Sequence, residues 1–441
     1  HMKKIGILAA ALVFALPPLA AQTPGGRIHR TEVAPYRNRD EAETRTRGKD
    51  DAAYMVFAPE VFLSDGRSVS AGQVLDIPYA WTDGCVFLHL ENPGAAYTLT
   101  LNDRTVAEVE DPATPAEFEL TPYVREGRNA LIVELRPSRT PALQEGTPAP
   151  EGKPFAGSYL YMQHKRSIAD FTLSLVPDST QRFGVLRLDI AARNACNYEE
   201  TVTVGYDVYS PQGKLLDYSI TDLTVAGRSC DTLHLTPYVY GTYENKWEPG
   251  AKNDPPLYRV MLFTRRDGAY KEYIPLRTGF RDIACRDGRW YSFGREIVLR
   301  EARCNAAADR TATRTAMVQL KKQGINTLRP AHPQPAWYYD LCDELGLMVI
   351  DRADINAPAG RTDRRVGGTP SNDPSLVDEY LERVRAMYYR SRNHTCVIAY
   401  ALGGASGNGY NMYKAYQWLK SAETQRPVFC EDADGEWNSD L

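Results

Sequence analysis

The stretch Cys396-Val-Ile-Ala-Tyr-Ala-Leu-Gly-Gly-Ala-Ser-Gly-Asn-Gly-Tyr-Asn411 joins an uncharged apolar run to a glycine-rich loop and then to an amphipathic segment. Cys396–Leu402 has the length and continuity of a strand buried on both faces. Glycines at 403, 404, 407 and 409 stop that strand, and Tyr410–Ala422 takes up helical spacing. The same order recurs around it. Thr313–Gln323 reads as a helix, Ile325–Pro330 as a strand, Pro335–Leu345 as a helix with proline in its first turn, and Leu347–Asp351 as a buried strand. Asp373-Pro374-Ser375 opens a helix that places Leu376, Tyr380, Val384 and Met387 on one face, and Pro427–Glu431 reads as a short strand. Alternating strands and helices imply a parallel sheet. With Glu296–Arg300 as its first strand, residues 281–441 are expected to hold about five such strands. Such an open piece would leave apolar edges, so further strands, the upstream domains or a partner chain must cover them.

Upstream the period changes from helical to alternating. Val86–Leu90, Tyr97–Asn102 and Asn129–Leu135 are short strands between turn residues, which places a β-sandwich over residues 51–180. A second sandwich is expected over 181–280, from Leu186–Ile190 and Thr201–Tyr209 with the turn Ser210-Pro-Gln-Gly213. Residues 22–50 are polar and charged and read as a linker or flexible arm. The fold class is thus multi-domain, β plus α/β. At the start, Lys3-Lys4, the apolar run Ile5–Leu19 and Ala20-Ala21 have the form of a secretory signal peptide over residues 1–21, implying a periplasmic or extracellular protein. No apolar run elsewhere is long enough to cross a membrane. The net charge of −4 gives no electrostatic reason to expect nucleic acid. Eight scattered cysteines, without metal-ligand spacing, permit disulfides, but Cys342, Cys396 and Cys430 sit in apolar patterns that suit buried thiols.

Several motifs resemble glycoside hydrolase family 2, the β-galactosidase-like enzymes. Cys396–Asn411 is similar to the pattern V-I-I-W-S-L-G-N-E-S-G-x-G-x-N, with Gly404-Ala405 in place of Asn-Glu. Tyr339-Asp-Leu-Cys-Asp-Glu-Leu-Gly-Leu-Met-Val-Ile-Asp351 resembles Y-E-L-C-D-E-L-G-L-Y-V-I-D, and Arg392-Asn-His394 and Arg426-Pro-Val-Phe-Cys-Glu431 match two further segments. Pro115–Glu134 looks like the closing strands of the opening domain, and Gly279-Phe-Arg281 like the entry to the barrel. The resemblance implies a jelly-roll β-sandwich, an immunoglobulin-like β-sandwich and a partial TIM barrel.

It also implies where chemistry belongs. Retaining glycosidases use two carboxylates, one as nucleophile and one as acid/base. The acid/base position is Ala405, whose methyl group moves no proton, and the nucleophile position falls outside the matched segments. The positions that ligate Mg²⁺ in many members are Asn356, Pro358 and Ala405 here, so no metal and no cofactor is expected. A sugar-facing histidine is Asn305. Arg329 and His332 keep the pattern G-I-N-A-V-R-T-S-H, and with Asn305 and Asp351 they are the candidate substrate-binding residues. Arg329 serves equally well as a core ion-pair partner, and His394 reads as structural. Glu431, Asp432, Asp434 and Glu436, at the face where barrel sites form, are the carboxylates available for a rewired site.

Three functions compete. The first is an exported pseudoenzyme that keeps a carbohydrate-binding or protein-docking surface. The second is an active retaining β-glycosidase, and the third is an assembly component using its sandwiches as adhesive modules.

Overall fold

The computed structural model describes residues 26–64 and 68–441. The expected signal peptide lies outside these residues. No helix among them is long and apolar enough to cross a membrane.

Two antiparallel sheets open the chain. Tyr54–Val56, Tyr159–Gln163, Cys85–Leu90 and Ala116–Glu119 form one, and Glu60–Ser64, Ser68–Ile77, Gly127–Arg136, Ala96–Leu101 and Arg104–Val109 the other. Alternation along each strand turns Leu75, Leu88, Leu99, Phe118 and Leu131 into one shared core. A second pair of antiparallel sheets follows, built on Arg166–Pro177 with Gly184–Asn194 and on Glu200–Tyr209 with Tyr258–Arg266, around a core that includes Leu188, Val204 and Leu262.

The strand Arg166–Pro177 departs from expectation. It was expected in the first sandwich but pairs with Gly184–Asn194 of the second module along its whole length. Its turn at Asp178, whose carboxylate accepts hydrogen bonds from the amides of Thr180, Arg182 and Phe183, closes a hairpin. The strong turn signal there lies inside a module, not between two.

After a three-stranded antiparallel sheet at Ile283–Arg286, Arg289–Ser292 and Arg295–Ile297, five parallel strands run in sequence order: Glu301–Arg303, Thr327–Arg329, Met348–Arg352, Val397–Ala401 and Val428–Phe429. The first strand is therefore Glu301–Arg303 and not Glu296–Arg300, because Arg295–Ile297 pairs backwards on Arg289–Ser292. The crossing helices are Arg310–Lys322, Ala336–Leu345, Val377–Ser391 and Tyr410–Ala422. Asp309 caps the first by accepting from the Ala312 amide at 2.8 Å. Gly346 ends the second at φ 71°, with Pro255 of the preceding module 3.0 Å from where a Cβ would stand. All eight cysteines are free, and Cys342, Cys396 and Cys430 are buried.

Residues 26–36 of the segment read as a linker form a largely buried tie, while 37–50 is mostly exposed. Arg27 bonds Asp111 of the first module and Glu382 of the helix Val377–Ser391, each at 3.0 Å, and His29 meets the same Glu382 at 2.8 Å. Arg30 pairs with Glu117, and Thr31 approaches Arg392, which bonds Asp170 at 2.6 Å. A charged stretch looks solvated in sequence, but these charges are answered from residues 84 to 355 positions away. Charge removal here should be costly: Arg27→Met leaves Asp111 and Glu382 buried against fewer cations and is expected to lower unfolding stability by about 3–5 kcal/mol in urea titration. An unchanged midpoint would show that the arm does not hold the modules together.

Candidate functional site

The C-terminal ends of the five parallel strands surround a cavity of about 860 Å³. Glu301, Arg303 and Asn305 enter from the first strand and its loop, and Arg329 and Arg352 from the ends of the second and third. Ala405 follows the fourth strand and Glu431 the fifth, with Gly146 and Pro148 of the first module at the rim. That rim loop is pinned: the Asn356 amide N–H donates to the Leu143 carbonyl at 2.7 Å, its side-chain amide donates to the Glu145 carbonyl, and Gln144 bonds Asp354 at 3.2 Å.

Six of the sequence-derived positions meet in this cavity: Asn305, Arg329, Asn356, Pro358, Ala405 and Glu431. Arg329 bonds Glu301 at 3.2 Å and lies over the Phe429 ring. The Asn305 side chain accepts from the Ala331 amide at 2.8 Å, which fixes the loop above the second strand.

His332 and Asp351 do not line the cavity. His332 is buried, its Nδ1 beside the Pro333 carbonyl at 3.0 Å, and burial holds its pKa below the ordinary range, so the ring is neutral. Asp351 is fully buried and accepts from the Tyr339 hydroxyl at 2.8 Å. Tyr339 closes off Asp351, whereas His332, though nearly buried, edges a neighbouring cavity with Asn305 and Gln334. His394 is likewise structural, bonding Asp343 at 2.8 Å, while Asp343 also accepts from the Cys396 amide at 2.7 Å. Asp343, His394 and Cys396 are the one group of possible metal-binding side chains among the described residues, and the Asp343 carboxylate and His394 Nδ1 are already bonded to one another.

The acidic cluster after the fifth strand is mostly consumed. Asp432 pairs with Arg361 at 2.6 Å and accepts from the Gly407 amide at 2.7 Å; Asp434 bonds Arg364 at 3.0 Å, and Glu436 accepts from Tyr413. Gly407 sits at φ 72°, with Thr369 Oγ1 2.9 Å from a Cβ, so the loop needs a glycine there. Of the four acids, Glu431 alone lines the cavity. A magnesium ion has little to hold it. Ala405 and Pro358 offer no side-chain oxygen, and the Asn356 amide is engaged with the rim loop.

Sequence reasoning missed Arg303 and Arg352. The Arg352 guanidinium stands beside Gly404, where a Cβ would lie 2.6 Å from its Nη2 and 2.7 Å from Oδ1 of Asn356. Glycine at 404 and arginine at 352 are thus one steric unit. The signal was present, since Arg303 and Arg352 both end parallel strands, where side chains face a barrel mouth.

Comparison with known proteins places this geometry. Residues 302–440 match the TIM barrel domain of the glycosyl hydrolases of family 2. The chain is a β-galactosidase-like relative of that family. The β-galactosidase of Vibrio cholerae is 30% identical over 356 residues, covering 76% of this chain and 33% of the enzyme, and that of Priestia megaterium is 27% identical, covering 85% and 37%. The chain therefore spans about a third of the length of these curated relatives. Among solved structures, the β-glucuronidase of Bacteroides uniformis superposes with a TM-score of 0.68 at 18% identity over 82% of this chain and 46% of that one, which shows a shared fold. In this family-2-like barrel, the position after the fourth strand that resembles the acid/base site carries a methyl group.

Burial pushes the Asp351 carboxyl up to about 6. The folded state therefore favours its proton, and stability falls as pH rises from the ordinary value near 4 through about 6. Asp351→Asn keeps an acceptor for Tyr339 and removes this cost. It should gain up to about 2–3 kcal/mol over the parent at pH 7.5 and little at pH 4, by urea titration at both. Equal losses at both pH values would mean that Asp351 is instead ionised and held by a partner.

Proposed function

We propose that this chain is an exported, β-galactosidase-like pseudoenzyme that holds carbohydrate without cleaving it. Its sheets would be a jelly-roll sandwich, an immunoglobulin-like sandwich and part of a (β/α)8 barrel, delivered to the periplasm or cell exterior by the signal peptide at residues 1–21. The observation that carries the reading is Ala405 on the wall of the barrel-mouth cavity. A retaining mechanism needs a proton donor to the leaving oxygen, and general acid–base catalysis is worth roughly 10²–10⁴-fold. The two carboxylates lining the cavity are Glu301, bound to Arg329, and Glu431, 4.0 Å from Arg361. Each of them faces a guanidinium, and neither stands at the position that resembles the acid/base site.

Glu431 favours one second reading, an active β-glycosidase with displaced carboxylates, because it is exposed and faces the cavity. The two readings differ in turnover. Hydrolysis of lactose and of nitrophenyl β-galactoside, β-glucuronide and β-mannoside should not exceed buffer, for the parent or for Ala405→Glu. A single added carboxylate on the cavity wall does not restore the pair that a retaining mechanism needs. Sustained turnover by the parent, abolished in Glu431→Gln, would replace the pseudoenzyme reading with the second.

A further inference from the structure

The charges of the barrel-mouth cavity do not cancel. Glu301 is taken by Arg329 at 3.2 Å, and Glu431 stands 4.0 Å from Arg361. Arg303 and Arg352 line the same cavity with no carboxylate within ion-pair distance among the described residues. Arg352 is half-buried, and its Nε is enclosed without a hydrogen-bond partner. A partly buried, unpaired guanidinium costs free energy in the empty protein, and a fold keeps such a group where something else answers it. Burial, with Arg303 and Arg329 nearby, lowers the Arg352 pKa, and Glu431 and Asp354 offset this only in part.

Local structure holds the arrangement in place. Gly404 leaves the room that Arg352 occupies, since a Cβ there would stand 2.6 Å from Nη2. The strand Met348–Arg352 is paired on both sides, so the arginine leaves a rigid element and not a loop. Asn305, Asn356 and the rim at Gly146 add neutral polar groups around the charged floor.

We propose that this cavity is an anion site for a saccharide, which sets a carboxylate or sulfate group against the guanidinium groups of Arg352 and Arg303. The planar fork of arginine suits both groups, each of which presents two or more oxygens to it. The proposal rests on the carbohydrate-holding reading and narrows it from neutral sugars to acidic ones. Hexuronates and sulfated sugars share the required chemistry.

The test is calorimetric titration of the purified chain with three matched disaccharides: a neutral galactoside, a hexuronate-terminated one and a sulfated galactoside. The acidic ligands are expected to bind at least about tenfold more tightly than the neutral one at low salt, with the margin shrinking as salt is added. Whichever acidic ligand binds more tightly identifies the source of the anion. Arg352→Met and Arg303→Ala should each weaken acidic binding by about tenfold and leave neutral binding unchanged. Arg352→Met should melt at or above the parent temperature, because it removes an unpaired charge. If it fails to fold, Arg303→Ala, at an exposed position, carries the same comparison. Equal affinity for neutral and acidic sugars, or acidic binding that survives both substitutions, overturns the anion site while leaving the carbohydrate-holding reading intact. Binding of none of the three overturns both.

Discussion

A guanidinium taken out of water must be met by carboxylates, and Arg27 is met by two from different modules. Asp111 comes from the first pair of sheets and Glu382 from a barrel helix. Around this junction the buried charges are coupled. Burial works against ionised Asp111, yet Arg27 and Arg383 hold its pKa well below the usual carboxylate range. Burial and the neighbouring Asp111 push Asp354 far above it. Asp354 in turn accepts from Gln144, which pins the rim loop over the cavity. The mouth of the barrel is therefore shaped by an ionic knot behind it, and the spacing of the modules is set by electrostatic necessity as much as by apolar contact.

The second feature to which the molecule owes its character is substitution within one pocket. Where the family resemblance implies carboxylates and a metal, this chain sets a methyl group, a proline, an amide and unpaired arginines. Asn356 is informative because its amide has found other work, holding the rim loop through the Glu145 carbonyl. Gly404 and Arg352 fit one another sterically. A pocket decaying at random would be expected to lose shape; this one keeps a defined floor with an altered sign of charge.

Much of the fold was legible in the sequence, for reasons that differ between elements. Val397–Ala401 and Met348–Arg352 are buried on both faces, so an unbroken apolar run marks them, and Tyr410–Ala422 was read end to end. Glu301–Arg303 was misplaced because three residues carry no period and an apolar run lies just before it. Arg166–Pro177 was given to the wrong module because strand pairing is a long-range property that a turn signal does not encode. Of the site, the motif positions Asn305, Arg329, Asn356, Pro358 and Ala405 converge, whereas Asp351 is buried against Tyr339 and His332 edges a neighbouring cavity. Arg303 and Arg352 went unnoticed because an arginine at a strand end looks solvated until neighbouring strands close around it. The arm at 26–36 was unreadable for the same cause, since its partners lie up to 362 positions downstream.

That last separation has a kinetic consequence. Arg27, His29 and Thr31 leave the ribosome among the first described residues, and Glu382, Arg392 and Asn393 among the last. Each module can collapse on its own local pairings, but the arm can close only after the chain has been made as far as Asn393, and so long a loop carries the full entropic delay of non-local contact. Docking of the arm is thus a completion step: until the barrel helix Val377–Ser391 is in place, Arg27 has half its counter-charge and the ionic knot stays open to water.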